Sequence, residues 1–493
     1  MMSIYSSIAL PPFLKGGRPL VGGIFGTCKT FSLWCLYQVR KIPPAFSRPP
    51  FRKGGNGTVT IVLIGTLFVF HSAQAALRVD IHGGKIQGIP IAVLPFEGAL
   101  GLGEETDLAA VIRADLHHSG QFDVNTLSTQ SSQADLQNLA YWKGVGVENL
   151  VSGSLHKTGS NYSVDFELQD VLAQSAQHAS HKPLLVMHFD KIPPQHLRAL
   201  AHHISDRIFE RLMGVKGFFS TRIAYISTLR GPKGPVYTLE IADFDGHHPK
   251  PLYRSAFPLM SPAWSHDGRK IAFVSFEKDR ASINVVDVLS AKVQRITQFP
   301  GINGAPSWSP DGKTLALVLS KEGSPSIYTL DLAHKHLTRL TTSTGRDTEP
   351  VFAPDGRSVY FTSDRGGKPQ IYKVHLATRQ TERVTFVGNY NAKPSITPDG
   401  KRLVTLHRAE STALFSIAVQ SLSYGGEPKV LTETGLNDSP TLAPNGMMVL
   451  YGSGDGERGV LRAVSLDGRT QITLPAREGA VKDPAWSPFV LHD

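Results

Sequence analysis

The chain has 493 residues, too many for one ordinary domain, and carries 51 basic against 41 acidic residues for a net charge of +10. Eight of the basic residues and none of the acidic ones fall within residues 1–75, which leaves the remainder at only +2. Net charge therefore offers no case for a nucleic-acid partner, and because the only cysteines are Cys28 and Cys35, disulfides and thiolate chemistry are excluded beyond residue 75.

Residues 1–50 resemble neither of the domains that follow. Pro11-Pro-Phe-Leu-Lys-Gly-Gly17 nearly recurs as Pro49-Pro-Phe-Arg-Lys-Gly-Gly55, and we read the stretch as a spurious extension from a start site placed too early. Against that reading, no Met falls between Met2 and Met187. Residues 51–75 have the three regions of a secretory signal peptide: Arg52-Lys53, the apolar run Val59–Phe70, and Ala73-Gln74-Ala75 with cleavage after Ala75. The apolar run is too short to span a bilayer comfortably. The reading is an exported protein whose signal peptide is cleaved.

Residues 76–216 read as a mixed α/β domain. Ile91–Phe96 is a buried-strand run, and Thr106 is the expected cap of a helix with Leu108, Val111, Ile112 and Leu116 on one face and Gly120 beyond its end. Tyr162, Val164, Phe166 and Leu168 alternate as in a half-buried strand. Leu197, Leu200, Ile204, Ile208 and Leu212 mark a last helix ending at Gly214, and residues 215–221 read as a short linker.

From residue 217 to 493 a phrase recurs: Ser261-Pro-Ala-Trp-Ser-His-Asp-Gly268, Ala305–Gly312, Glu349–Gly356, Lys393–Gly400 and Ser439–Gly446, with a truncated copy at Asp483–Pro488. The closing glycines are spaced by 44, 44, 44 and 46 residues. A period of about 40–45 residues with four short strands per unit marks a β-propeller. Asp-Gly supplies the hairpin turn after the first strand, because Gly accepts positive φ without steric cost. The large apolar column Trp264, Trp308, Phe352, Ile396, Leu442 and Trp486 is expected between adjacent blades. Second-strand segments at 223, 271, 315, 359, 403 and 448 count six blades. The last phrase has no room for three further strands, so it should complete the first blade and close the ring. The expected fold is thus two domains, a mixed α/β unit followed by a six-bladed propeller closed by its C-terminal strand.

No Gly-x-Ser-x-Gly, His-Glu-x-x-His or phosphate-loop pattern occurs, so neither an enzyme nor a cofactor is indicated. The pairs His117-His118, His202-His203 and His247-His248 read as solvated surface residues, since adjacent side chains diverge on helix and strand alike, and no metal is expected. Asp243-Phe-Asp-Gly-His-His248 is a partial calcium-loop pattern that reads more simply as a hairpin turn. A propeller-type hydrolase and a generic ligand-binding propeller stand as the rival classes.

Ala76–Ile81 with Gly88–Phe96, the junction Ser205–Gly217 running into Thr221–Tyr225, and the blade pattern ending at Pro484–Pro488 together resemble the TolB family, periplasmic propeller proteins of the Tol–Pal system. The resemblance covers residues 76–493 and implies a non-catalytic, monomeric scaffold that helps keep the outer membrane attached and drawn inward at division. It implies that the lipoprotein Pal binds one mouth of the channel. Carried across, the positions are Asn303, Gly304, Ala305, Thr348 and Glu349, with Met260, Ser261, Lys393, Asp438 and Ser439 in equivalent loops. Ile302 stands where the best-known members have His. The resemblance also implies that the N-terminal strand Leu77, Arg78, Val79, Asp80 and Ile81 engages TolA, exchanging between that partner and its own domain under the bias of Pal.

Overall fold

A computed structural model describes residues 78–81, 88–99, 103, 106–125, 138–173, 182–277, 280–410, 412–423, 426–432, 436–455, 458–475 and 479–489. The expected extension, signal peptide, cleavage point and Leu77 lie outside the described residues.

The N-terminal domain is one five-stranded sheet built from β2 (Ile89–Val93), β3 (Phe122–Asn125), β4 (Asn149–Thr158), β5 (Asn161–Asp170) and β6 (Leu185–Ile192), in the order β3-β2-β4-β5-β6. β2 runs parallel to both neighbours while β4, β5 and β6 form an antiparallel meander. Alternation along β2 sends Ile91 and Val93 into the core shared with helices α1 (Leu108–His118) and α3 (Leu197–Met213). Its other face sends Ala92 and Leu94 onto Trp142 of α2 (Leu139–Gly144). β2 ends at Val93, earlier than the apolar run suggested, as Pro95 has no N–H to extend the ladder.

The cap of α1 also differs from expectation. The Asp107 side chain accepts from the amides of Ala109 and Ala110, while the Thr106 hydroxyl donates to Gly103 O. α3 ends as its sequence implied, at Gly214 with φ 71°. The linker after it is packed, not loose: Phe218 and Phe219 are buried, and Asp206 of α3 accepts from the amides of Phe219 and Ser220 at 2.7 and 3.0 Å. Gly217 is needed there, because a Cβ would lie 2.3 Å from Asp206 Oδ1.

Six sheets follow in a ring. Blade 2 (Leu259–Trp264, Lys270–Glu277, Arg280–Asp287, Val293–Thr297) shows the repeated unit of four antiparallel strands. Each inner strand touches the next around the circle, and that of blade 2 also touches the last strand of the chain. Closure occurs as the repeat implied: Ala480–Trp486 pairs antiparallel with Arg222–Gly231 and becomes the inner strand of blade 1. The repeated turns are clasped by side chains. Ser265 Oγ donates to Asp267 Oδ1 and accepts from Lys270 N, and Ser309–Asp311 and Thr397–Asp399 repeat the arrangement.

The Trp column does lie between blades. Trp308 Nε1 donates to Ala263 O of blade 2 at 3.0 Å, and Trp264 Nε1 donates to Ala485 O of blade 1 at 3.1 Å. Trp486 Nε1 reaches Thr221 Oγ1 at 2.8 Å, and its ring meets Phe218 edge-on. Apolar side chains fill the gaps, for example Ile226 and Leu239 of blade 1 against Ile271 and Phe273 of blade 2.

The domains meet on the side of the propeller where the Asp-Gly turns lie. Asn445 Nδ2, in such a turn of blade 6, donates to Lys216 O, and Asp245, in an outer turn of blade 1, pairs with Arg198 of α3. Strand β1 (Arg78–Ile81) adds antiparallel to Thr470–Thr473, making blade 6 five-stranded. Replacing Trp486 by Ala should cost about 3–5 kcal/mol in urea unfolding, since it empties a buried site between closing strand and junction. A loss below about 1 kcal/mol would show that closure does not depend on this side chain.

Candidate functional site

The residue before each repeated proline has positive φ: Ser261 51°, Ala305 45°, Glu349 54°, Lys393 52°, Ser439 50° and Asp483 49°. A residue before proline normally stays extended. Here each sits at a bulge where the inner strand slips register against its neighbour, between Met260 and Ala263 in blade 2 and at the matching place in every other blade. One side chain per blade is thereby released from the ladder near the channel mouth.

Four of the six join into a polar chain across blades 4, 5, 6 and 1. Glu349 Oε2 accepts from Lys393 N at 3.0 Å and from Thr362 Oγ1 at 2.8 Å. Lys393 Nζ reaches Ser439 Oγ at 2.7 Å and Asp438 Oδ1 at 2.6 Å, and Ser439 Oγ donates to Asp483 Oδ1 at 3.0 Å. Burial raises Glu349 above the usual carboxylate range, with Lys393 opposing it. Blades 2 and 3 contribute only the small Ser261 and Ala305, so the charged side chains of this set gather on one side of the mouth.

The loops entering the inner strands are pinned from below. Asn303, buried, accepts from Phe299 N at 2.9 Å and donates to Phe299 O at 2.7 Å. Asp347 holds Arg365 Nη2 through both oxygens at 2.9 Å; Asn391 donates to Val387 O, and Asn437 to Phe415 O and Thr432 Oγ1. Thus Asn303 spends its amide on its own loop, and Thr348 is buried on the inner strand of blade 4. Gly304, Ala305, Met260, Ser261, Glu349, Lys393, Asp438 and Ser439 are partly exposed at the mouth. Ile302 packs on the core between blades 3 and 4 while its amide donates to Ser320 Oγ. Around this ring the same loops expose Phe257, Phe299, Phe386, Val387 and Leu436, with Phe386 66% exposed.

Sequence reasoning missed Asp483, although it opens the sixth copy of the phrase. Of the apolar loop tips only Phe299 and Val387 stand a whole number of periods apart, and the set as a whole gave no signal. It also misjudged the histidines: His118 and His202 are buried, brought from separate pairs to one place by the packing of α1 on α3. There Asp115, His202 and Asp245 place one donor atom each within 4.8 Å of one another, the only such metal-capable group among the described residues.

Two family models match the chain: the TolB amino-terminal domain over residues 77–177 and the TolB beta propeller domain over residues 209–490. The chain belongs to the TolB family. It is 54% identical over 439 residues to the Tol-Pal system protein TolB of Coxiella burnetii, covering 87% of this chain and 98% of that protein. With the Pseudomonas aeruginosa TolB it shares 48% identity over 436 residues, 88% of this chain and 99% of the relative. The crystal structure of TolB from Acinetobacter baumannii superposes with a TM-score of 0.75 at 37% identity, covering 84% of this chain and all of that one.

Arg365→Ala should destabilise the protein by about 3 kcal/mol or more in chemical denaturation, because it strands the fully buried Asp347 carboxylate. A change within about 0.5 kcal/mol would mean that water takes over the pairing.

Proposed function

We propose that this protein is a non-catalytic periplasmic scaffold that binds Pal at the propeller mouth and TolA through residues 77–81, and so helps keep the outer membrane attached and drawn inward during division. The observation that carries the Pal half is the construction of the mouth. It is a rigidly pinned polar ring rimmed by exposed aromatic and aliphatic tips, on the face turned away from the N-terminal domain. Protein-binding surfaces favour this composition, an aromatic-rich patch with a few fixed polar groups. Ala305, Ser261 and Gly304 leave the space for an inserted segment; Glu349, Lys393, Asp438 and Ser439 supply its polar partners; Asn303 and Thr348 act by shaping the loops.

The TolA half is supported by the pairing of β1. A strand that completes a sheet edge in its own molecule has the hydrogen-bonding pattern to complete one in a partner. Its antiparallel register, Arg78 against Thr473 to Ile81 against Thr470, lies on blade 6 and not on the strand's own domain as expected, and it supports reading this segment as one that adds to sheet edges. Among the described residues no helix is long and apolar enough to cross a membrane.

Ala305→Trp should weaken Pal binding tenfold or more in calorimetry, about 1.4 kcal/mol, and Phe386→Ala should act in the same direction with the fold unchanged. Both variants should leave TolA binding intact. Deleting residues 76–83 should abolish TolA binding and spare Pal. Equal loss of both partners in any folded variant would refute this division of labour.

A further inference from the structure

Two carboxylates, a guanidinium and two imidazoles meet between the domains of this protein. Asp115 and His118 come from α1, Arg198 and His202 from α3, and Asp245 from an outer turn of blade 1. His202 Nδ1 bonds Asp115 Oδ2 at 2.8 Å, and Arg198 Nη2 bonds Asp245 Oδ2. His202 Nε2 stands 3.9 Å from the same Asp245 oxygen and has no hydrogen-bond partner, and neither has His118 Nδ1. The Phe244 ring packs edge-on against His202, closing the site from the propeller side.

The charges decide how this cluster works. With His202 protonated, Arg198 and His202 balance Asp115 and Asp245, and no ion is required. With His202 neutral, a buried carboxylate is left uncompensated unless Asp115, which burial pushes above the usual carboxylate range, holds the shared proton instead; either way one proton is retained between Asp115 and His202. A divalent cation at His202 Nε2 would sit beside the Arg198 guanidinium and leave an excess of positive charge. The balanced arrangement is the one the geometry favours.

We propose that the Asp115–His202–Asp245–Arg198 network is an electrostatic latch that seats the N-terminal domain on the propeller and, through α1, governs whether β1 stays docked on blade 6. The mechanical connection is short. At the end of α1, Gly120 abuts Thr470 so closely that a Cβ would lie 2.2 Å from its hydroxyl oxygen. Thr470 in turn is the residue paired with Ile81 of β1. Movement of α1 off the propeller therefore removes the support behind the strand on which β1 docks. That the freed segment then meets a partner rests on the reading above; the latch itself does not.

The groups facing His202 set its pH dependence. These are Asp115 and His118 on α1, Arg198 on its own helix with Asp206 further along, and Asp245 and His247 on the blade 1 turn. Burial alone would lower the imidazole, but Asp115 and Asp245 outweigh burial and Arg198 and raise it to about 9. A raised folded-state value means that the latch contributes fully below about pH 6.5 and is lost as pH climbs through about 9. Burial pushes His118 down to about 4, so it stays neutral throughout that range.

The test uses the chain from residue 76 onward, which lacks cysteine, with spin labels at Lys157→Cys and Lys313→Cys, exposed positions on the two domains. His202→Gln should broaden the interdomain distance distribution and speed amide exchange at residues 78–81 and 470–473 at least tenfold at pH 7. Exchange in blades 3 and 4 should stay unchanged. Asp115→Asn added to His202→Gln restores the balance with Arg198 and Asp245 and should recover most of the protection. A double variant looser than the single one would overturn the latch, as would parent-like exchange in His202→Gln. Distances or exchange in the parent that respond to EDTA or added zinc would also overturn it, in favour of a metal site. These readouts need no partner, so failure of the TolA assignment would leave them standing, while a working TolA interaction would not rescue them.

Discussion

Pairing of the last strand with the first propeller strand is the constraint on which the rest of this structure depends. Ala480–Trp486 lies against Arg222–Gly231, so the two ends of the propeller segment meet in one sheet. Without that pairing, blades 1 and 6 would each present an open flank, and the channel would be a cleft. The closing strand also reaches beyond its own blade. Trp486 bonds Thr221 and meets Phe218, and the Ser487 hydroxyl accepts from Arg222 N at 2.9 Å. Phe218, Phe219 and Phe244 continue the contact into α3 through Phe209. Ring closure and domain seating are therefore one packing problem, with a shared aromatic cluster at its centre.

Two kinds of polar assembly are built on this frame, and they differ in what they are made from. The mouth is assembled by repetition: equivalent residues of successive blades are brought around a circle, each displaced from its ladder by a bulge. The junction is assembled by convergence, from a helix after β2, a helix before the linker and a turn in blade 1. Repetition places partly exposed groups that a partner can reach. Convergence places fully buried charges, whose balance then becomes a condition on how the domains sit.

That difference explains which parts were legible in the sequence. The six-fold period, the turn glycines and the truncated last copy encode the propeller and its closure, because each blade solves the same local problem with the same residues. Helix α3 was legible from its apolar spacing and its terminal glycine. The cap of α1 was misassigned by one residue, since Thr106 and Asp107 are both competent caps and only the backbone path chooses between them. His118 and His202 could not be read correctly from adjacency. Their burial comes from the crossing of α1 and α3, far apart in sequence, and Asp245 looked like an ordinary turn residue. The bracing residues Asn303, Asp347, Asn391 and Asn437 do recur with the repeat. Their chemistry, amide or carboxylate turned back onto the loop, is visible only once the loop's path is known.

The bulge that recurs one position before each proline has a wider consequence. It sets the displaced residue outside the blade's hydrogen-bond ladder, and each blade has already accepted the left-handed backbone there, a strain of about 1–2 kcal/mol for a side chain that is not β-branched. Serine, alanine, glutamate, lysine and aspartate all occupy the position in this one molecule. The ring thus behaves as a set of interchangeable letters on a fixed backbone. Its pattern of charge can be rewritten by substitution at these six positions while the architecture around it stays the same.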